Sequence, residues 1–241
     1  MDEIAARVQP GPRPARGSSG SATRLLILGA VRIFQPVHGY FLRRELVSWG
    51  VDDWASVHPG SIYNALRALA RAGLVEEVLT GSAGARPART TYRLTSTGEH
   101  EFFHLLRSAL SAADDPIAFL AAINMTSTLP RSDVVDAVEL HINALERQLE
   151  LNGQLVDEML ASSEVPNTAT EVVRVLMART SGELAWARDY VDRVRGGAYS
   201  FVGEEPDWTP SQAQITAVLE AGVGDDHGWS HLRARTTPPH E

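Results

Sequence analysis

One short string has the residue types of a zinc peptidase motif. In HEFFH, residues 100–104, a helix would place His100 and His104 one turn apart as zinc ligands, with Glu101 as the base that activates a zinc-bound water. A third ligand is required, and the residues that follow, LLRSALS, do not supply the extended HExxHxxGxxH form. Phe103 and Leu106 of the same segment are expected to pack in a core. The sequence therefore predicts no metal site, no cofactor and no catalysis.

A second set of polar side chains lies on a segment with helical apolar spacing. Ile62, Ala65, Leu66 and Leu69 recur at intervals of three and four, which predicts a buried stripe. The opposite stripe carries Ser61, Tyr63, Asn64, Arg67 and Arg71. The arginines alone would suit a solvated helix face. Hydroxyl and amide groups beside them, at the start of the helix, are better suited to contacts with phosphates and base edges.

Two further helices are expected before this segment. An apolar helix over residues 23–33 is broken by Pro36, and a second helix ends near Gly50. The third helix, which carries the polar stripe, begins near Pro59 and ends at Gly73.

The segment LVEEVLTGSAGARPARTTYRLT contains two β-prone runs separated by Gly81, Gly84 and Pro87, a pattern typical of a β-hairpin. Arg86 and Arg89 lie in its loop and returning strand. Three helices followed by a hairpin with a cationic tip describe a winged helix-turn-helix. In that fold the third helix enters the major groove and the hairpin lies along the DNA backbone.

These residues resemble the PadR family of bacterial transcriptional regulators. The resemblance rests on LLILGAV in the first helix, on HGY, on GSIY within the third helix and on YRLTSTG after the hairpin, and runs from about Leu25 to Gly98. It implies a homodimeric winged helix protein, usually a repressor, that a small molecule or stress signal releases from DNA. It also implies that Tyr63 contacts the DNA backbone, as the family's recognition-helix tyrosine does.

The second half of the chain has the apolar spacing of a coiled-coil seam. The seam is formed by Val135, Val138, Ile142, Leu145, Leu149, Asn152, Val156 and Met159. A helix over residues 170–194 could cover it within the chain, and a second copy could cover it in a homodimer. We expect a dimerisation domain, because a polar Asn152 in the seam helps to set register when it pairs with its symmetry mate.

Trp186 and Tyr190 lie four residues apart and share one helix face beside the seam. Two interpretations are open: the rings pack in the core, or they line an effector pocket, as aromatic residues do in some members of the resembled family.

Charge is divided unequally along the chain. Residues 1–100 contain twelve Arg and eight Asp or Glu, whereas residues 101–241 contain ten and twenty-two. The N-terminal half therefore suits double-stranded DNA, with a palindromic operator as the expected partner. Because the net charge of the whole chain is -8, a winged helix that binds protein instead of DNA stays an alternative.

The predicted fold is mainly α with a small β-hairpin wing. Residues 1–22 are expected to be a disordered arm, residues 23–110 a winged helix domain with its exit helix, residues 111–195 a helical dimerisation domain, and residues 196–241 a partly disordered extension. The arm either reaches a DNA groove or is a solvated tail. With no long apolar run and no export signal, a cytoplasmic protein without membrane contact is expected.

Overall fold

Helices make up most of the described chain, and one small sheet interrupts them. The computed structural model describes residues 18–55, 59–80 and 89–206. Its helices are α1 (Ser18–Phe34), α2 (Gly39–Ser48), α3 (Val51–Trp54), α4 (Pro59–Arg71), α5 (Ser96–Ser111), α6 (Pro116–Ile123), α7 (Arg131–Ala161) and α8 (Thr170–Arg195), and its strands are β1 (Val37–His38), β2 (Val75–Thr80) and β3 (Arg89–Leu94). Short 3-10 turns at Thr126–Thr128 and Asn167–Ala169 precede α7 and α8.

Helix α1 is apolar on most sides because other elements surround it. Every side chain from Leu25 to Leu28 is buried, and α1 contacts α2, α4, α5, α6 and β3. The helix begins at Ser18, before the expected start at Thr23. Ser21 Oγ donates a hydrogen bond to Asp115 at 3.3 Å, and such a tertiary contact orders a turn of low helix propensity. The predicted disorder is therefore wrong for residues 18–22, while the rest of the predicted arm lies outside the described residues.

The predicted hairpin is present as part of a three-stranded antiparallel sheet with the order β1-β3-β2. Strands β2 and β3 pair from Val75 opposite Leu94 to Thr80 opposite Arg89. Strand β1 pairs with β3 at Val37 and His38, so β2 is an edge strand. The winged helix-turn-helix predicted from the sequence is confirmed.

One turn fixes the end of α4, the base of the wing and the start of α5. Gly73, with a φ of 70°, ends α4: its N–H donates to Ala70 O at 3.0 Å, and Leu74 N–H donates to Leu69 O at 3.0 Å. Across the turn, Thr95 N–H donates to Leu74 O at 3.1 Å. Thr95 Oγ1 donates to Gly73 O at 2.7 Å and accepts from Gly98 N–H at 3.0 Å, so Thr95 also caps α5.

Helices α7 and α8 lie side by side, and α8 matches the helix expected over residues 170–194. Four members of the predicted seam, Val138, Leu145, Val156 and Met159, are buried within the single chain. The other four, Val135, Ile142, Leu149 and Asn152, are half-buried. Packing inside the chain therefore accounts for the centre of the seam, and direct contact of those four buried residues with a partner is not available in this arrangement.

Helix α7 has a second apolar stripe that faces away from this core. Leu140 and Leu151 are 60% and 58% exposed, and three helical turns separate them on one side of the helix. Ala144, half-buried, and the exposed Arg147 lie between them on the same side. The stripe leaves apolar surface on the longest helix of the described chain.

Two segments outside the long helices are packed. Asp115, in the turn between α5 and α6, caps α6 and accepts from Ala118 N–H at 3.0 Å. Residues 196–206, expected to begin a partly disordered extension, are fastened to the start of α7: Arg131 binds both carboxylate oxygens of Glu204, at 2.8 and 2.6 Å, and lies over the ring of Phe201.

Gly98 is expected to tolerate no side chain. A Cβ atom there would lie 1.9 Å from Leu74 O, which is a backbone atom that cannot rotate away. We expect Gly98→Ala to lower the free energy of unfolding by about 1–3 kcal/mol, as overpacking does, in urea denaturation. The matched control is Gly182→Ala in α8, where a Cβ would meet nothing within 4 Å and which should be about 0.5–1 kcal/mol more stable than the parent. Equal unfolding midpoints for Gly98→Ala and the parent would contradict the role given to this turn.

Candidate nucleic-acid interface

The two faces of α4 differ as its sequence predicted. Ile62, Leu66 and Leu69 are buried against the rest of the domain. The five polar residues singled out from the sequence, Ser61, Tyr63, Asn64, Arg67 and Arg71, are all exposed. Arg71 Nε donates to Arg67 O at 3.3 Å, which holds its side chain along the helix surface. The structure brings these five together on one continuous surface.

The first turn of α2 supports this surface at Tyr63. A Cβ atom at Gly39 would lie 3.0 Å from Tyr63 Cε1, so the glycine of the HGY motif makes room for the tyrosine ring of α4. Tyr63 stays 37% exposed. The next residue, Tyr40, is 69% exposed and was not singled out from the sequence. The sequence feature that could have identified Tyr40 is its position in the HGY motif, next to the glycine that contacts Tyr63.

The wing residues are less completely described. Arg86 lies outside the described residues. Arg89 begins β3 and is opposite Thr80 at the last pair before the wing loop. Arg89 therefore lies at the end of β3 that adjoins residues 81–88.

A groove of about 910 Å³ separates α4 from the edge strand β2. Its walls are Asn64, Arg67, Ala70, Arg71, Gly73, Val75, Glu76, Glu77 and Thr95. Burial and the nearby charge of Glu77 raise the pKa of Tyr92, while the charge of Arg67 opposes them. The groove thus combines cationic and anionic walls. Reasoning from the sequence missed the two carboxylates because it looked for groups that attract phosphate.

The HEFFH residues are used for packing between α5 and α1. Glu101 forms an ion pair with Arg24 at 2.9 Å, and Phe102 is buried. His100 and His104 are exposed beside a groove between α5 and α7. Across residues 18–55, 59–80 and 89–206, no group of three or more His, Asp or Glu side chains is arranged to hold a metal ion.

Trp186 and Tyr190 stack at a centroid distance of 5.0 Å with an interplanar angle of 10°. Together with Arg193 of the same helix, they border a cavity of about 440 Å³. Its other walls come from the end of α6, the following 3-10 turn and the packed segment after α8: Ile123, Asn124, Thr126, Ser127, Tyr199, Ser200 and Phe201. Tyr190 OH donates to Thr126 Oγ1 at 3.2 Å, and burial raises the pKa of Tyr190. The two rings therefore serve the core and a cavity wall at once.

A helix-turn-helix made by α2 and α4, followed by an antiparallel wing, defines a winged helix-turn-helix protein. Residues 27–103 match the model of the Transcriptional regulator PadR-like family. The resemblance predicted from the sequence is thereby confirmed over this part of the chain. Members of that family are transcriptional regulators, not enzymes.

Three solved structures are similar to this chain at low identity. PadR of Bacillus subtilis in complex with operator DNA is 17% identical, with 71% of this chain and 98% of that chain covered and a TM-score of 0.30. A PadR-like transcriptional regulator from Bacillus cereus is 16% identical, with coverage of 71% and 94% and a TM-score of 0.32. A protein of Streptococcus mutans UA159 is 18% identical, with coverage of 70% and 98% and a TM-score of 0.31.

Among curated proteins, none matches the chain. In the described ranges, no helix combines the length and the apolarity that crossing a bilayer requires.

The buried phenol of Tyr190 gives a pH-dependent prediction. Because its pKa is raised in the folded state, the stability that it contributes is complete below the unfolded pKa of about 10 and is lost as the pH rises through the folded value. Tyr190→Phe should cost about 0.5–1.5 kcal/mol at neutral pH through the lost hydrogen bond to Thr126. In urea denaturation at increasing pH, the difference between the two proteins should narrow above about pH 10. A difference that stays constant well above that pH would contradict this assignment.

Proposed function

We propose that this protein is a homodimeric, DNA-binding transcriptional regulator that recognises a palindromic operator, with α4 as its recognition helix. The observation that carries the proposal is the exposed surface of Ser61, Tyr63, Asn64, Arg67 and Arg71 in a domain that matches a family of transcriptional regulators. A surface that needed only solubility would not need two hydroxyl groups and an amide beside its charges.

The residues of this surface have different roles in the proposal. Asn64 and Arg67 contact base edges, since an amide and a guanidinium match adenine and guanine in the major groove. Ser61, Tyr63 and Arg71 contact phosphates and position the helix. Arg86 and Arg89 of the wing bind the neighbouring backbone, which the excess of basic residues in the N-terminal half supports.

Dimerisation supplies the specificity that one domain lacks, because a single recognition helix contacts few base pairs. The proposed contact is the stripe of Leu140, Ala144 and Leu151 on α7. Its support is the exposure of two large apolar side chains on a helix whose other apolar side is already covered within the chain. The half-buried seam residues Val135, Ile142, Leu149 and Asn152 border the covered side, and in this proposal they contribute at most its edge.

The proposed mode is repression that a small molecule relieves at the cavity bordered by Trp186 and Tyr190. Its support is a cavity with an aromatic wall and a cationic residue, Arg193, at the edge. A ligand that fits the cavity better in one arrangement of the two protomers shifts the equilibrium by its difference in affinity for the two arrangements.

The DNA-binding proposal is tested by selection from random duplex DNA, followed by affinity measurements on the selected sequence. Arg67→Ala should weaken binding to that sequence by about 1–3 kcal/mol because a base contact is lost. The matched control is Arg179→Ala, an equal change of charge at an exposed position of α8, which should bind as the parent does. Arg86→Ala should weaken binding to all sequences alike and reduce the salt dependence. Recovery of no DNA sequence would favour a winged helix that binds protein.

The dimer proposal is tested by changing the exposed stripe without touching the core. The double variant Leu140→Glu with Leu151→Glu should be a folded monomer in analytical ultracentrifugation, because charges in an apolar contact between protomers lack partners. Its affinity for the selected operator should fall to the level of non-specific DNA. The control is Ile142→Glu with Leu149→Glu on the half-buried side. If the Leu140 and Leu151 variant stays a dimer while the Ile142 and Leu149 variant is a folded monomer, the contact between protomers is the predicted seam and not the exposed stripe.

A further inference from the structure

Glu76 and Glu77 have different environments although they are neighbours in β2. Glu77 is opposite Tyr92 in the β2–β3 ladder, and Val75, two residues earlier on the same side of the strand, is buried with its partner Leu94. Glu77 therefore lies on the side of the sheet that faces the helices. Glu76 is opposite Arg93, and its side chain leaves the strand on the other side, although Glu76 also borders the groove between α4 and β2.

Glu77 and Arg67 border the same groove without neutralising each other. Both line the groove between α4 and β2, and the charges of both act on the Tyr92 hydroxyl. Both residues are exposed. Among the described residues, no ion pair joins the two side chains. The guanidinium of Arg67, a hydrogen-bond donor, and the carboxylate of Glu77, an acceptor, thus border the same groove. Both groups can therefore bind a ligand there.

On the basis of the proposed function, we infer that Arg67 and Glu77 together recognise one G·C base pair in each half-site. Arg67 donates to N7 and O6 of guanine, and Glu77 accepts from the N4 amino group of cytosine. A G·C pair presents two adjacent acceptors and then a donor in the major groove, which is the order that a guanidinium fork followed by a carboxylate requires. An A·T pair presents a donor between two acceptors, so one arm of the fork would meet an amino group.

The carboxylate acts mainly by rejection. At a site without the cytosine amino group, the Glu77 carboxylate gives up its hydrogen bonds to water and finds no hydrogen-bond donor on the DNA. The phosphates nearby also repel its negative charge. Affinity for the wrong sequence therefore falls more than affinity for the right sequence rises. Glu77 is in this sense a specificity-determining residue of a surface whose other members attract DNA.

The experiment compares Glu77→Gln with Glu76→Gln, two isosteric changes that remove the same charge from adjacent, exposed positions. Each protein, and the parent, is used in full length for selection from random duplex DNA. Binding is then measured to the selected operator and to operators in which the inferred G·C pair is replaced by A·T. Thermal unfolding shows whether both variants keep the fold.

In the parent, replacing G·C by A·T should cost about a hundredfold in affinity, because the Arg67 fork and the Glu77 carboxylate both discriminate against A·T. In Glu77→Gln that ratio should fall to about tenfold, in the range of the one bidentate contact that Arg67 keeps, while affinity for random-sequence DNA rises because a negative charge is gone. Glu76→Gln should show the same rise on random DNA and should keep the parent's base preference.

Three results would overturn the inference. Equal base preference in Glu77→Gln and Glu76→Gln would show that Glu77 contributes charge without recognising a base. If Arg67→Ala leaves the preference for G·C unchanged at every position of the selected operator, Arg67 does not recognise the guanine of the inferred base pair. If the parent protein selects no sequence, the inference and the proposed function fail together. The first result leaves the proposed function intact, and the second removes from it only the base contact of Arg67.

Discussion

The carbonyl group of Leu74 is the point on which the geometry of the winged helix-turn-helix half depends. It accepts the N–H of Thr95 and lies against Gly98, so the last turn of α4, the base of the wing and the first turn of α5 meet within a few bonds. The Thr95 hydroxyl adds a bond to Gly73 O on one side and a cap for α5 on the other. Helix α4 cannot change its angle to the wing without breaking this set, so the polar surface of α4 and the groove beside β2 move as one unit.

Helix α1 joins this unit to the helical half. It packs on α2 and α4 on one side and on α5 and α6 on the other, and two ion pairs, Arg24–Glu101 and Arg32–Glu99, fasten it to α5. The guanidinium of Arg32 also lies 5.0 Å from the ring centre of Phe103. Contacts with α1 thus account for Glu101, Phe102 and Phe103, whose residue types suggested a peptidase motif. The same residue types that pack α5 against α1 also occur in the peptidase motif, so a string of five residues does not distinguish helix packing from catalysis.

The sequence was informative where one interaction determines local spacing. The two faces of α4 follow from burial on a single side, and the wing follows from β-prone runs around glycines, so both were predictable. The spacing of an apolar stripe does not show which element it packs against. Val138 and Leu145 have the pattern of a dimer seam, yet both are buried within the single chain, in which α7 packs along α8. Leu140 and Leu151 were missed because a second stripe on the same helix blurs its period. Glu77 was missed because its closeness to Arg67 depends on the register of β2, which no local pattern encodes.

Helix α5 runs without interruption from the wing into the helical half, and this continuity has a mechanical consequence. Its sixteen residues form a rod about 24 Å long. A tilt of about 10° at the far end, near α7, displaces the wing end by about 4 Å, a simple lever on a rod of that length. Two such rods in a symmetric pair would move in opposite senses, so the separation of the recognition helices would change by about twice that amount, against a half-site spacing of about 34 Å. In the proposed dimer, a small rotation among buried helices would in this way become a mismatch with the pitch of the double helix.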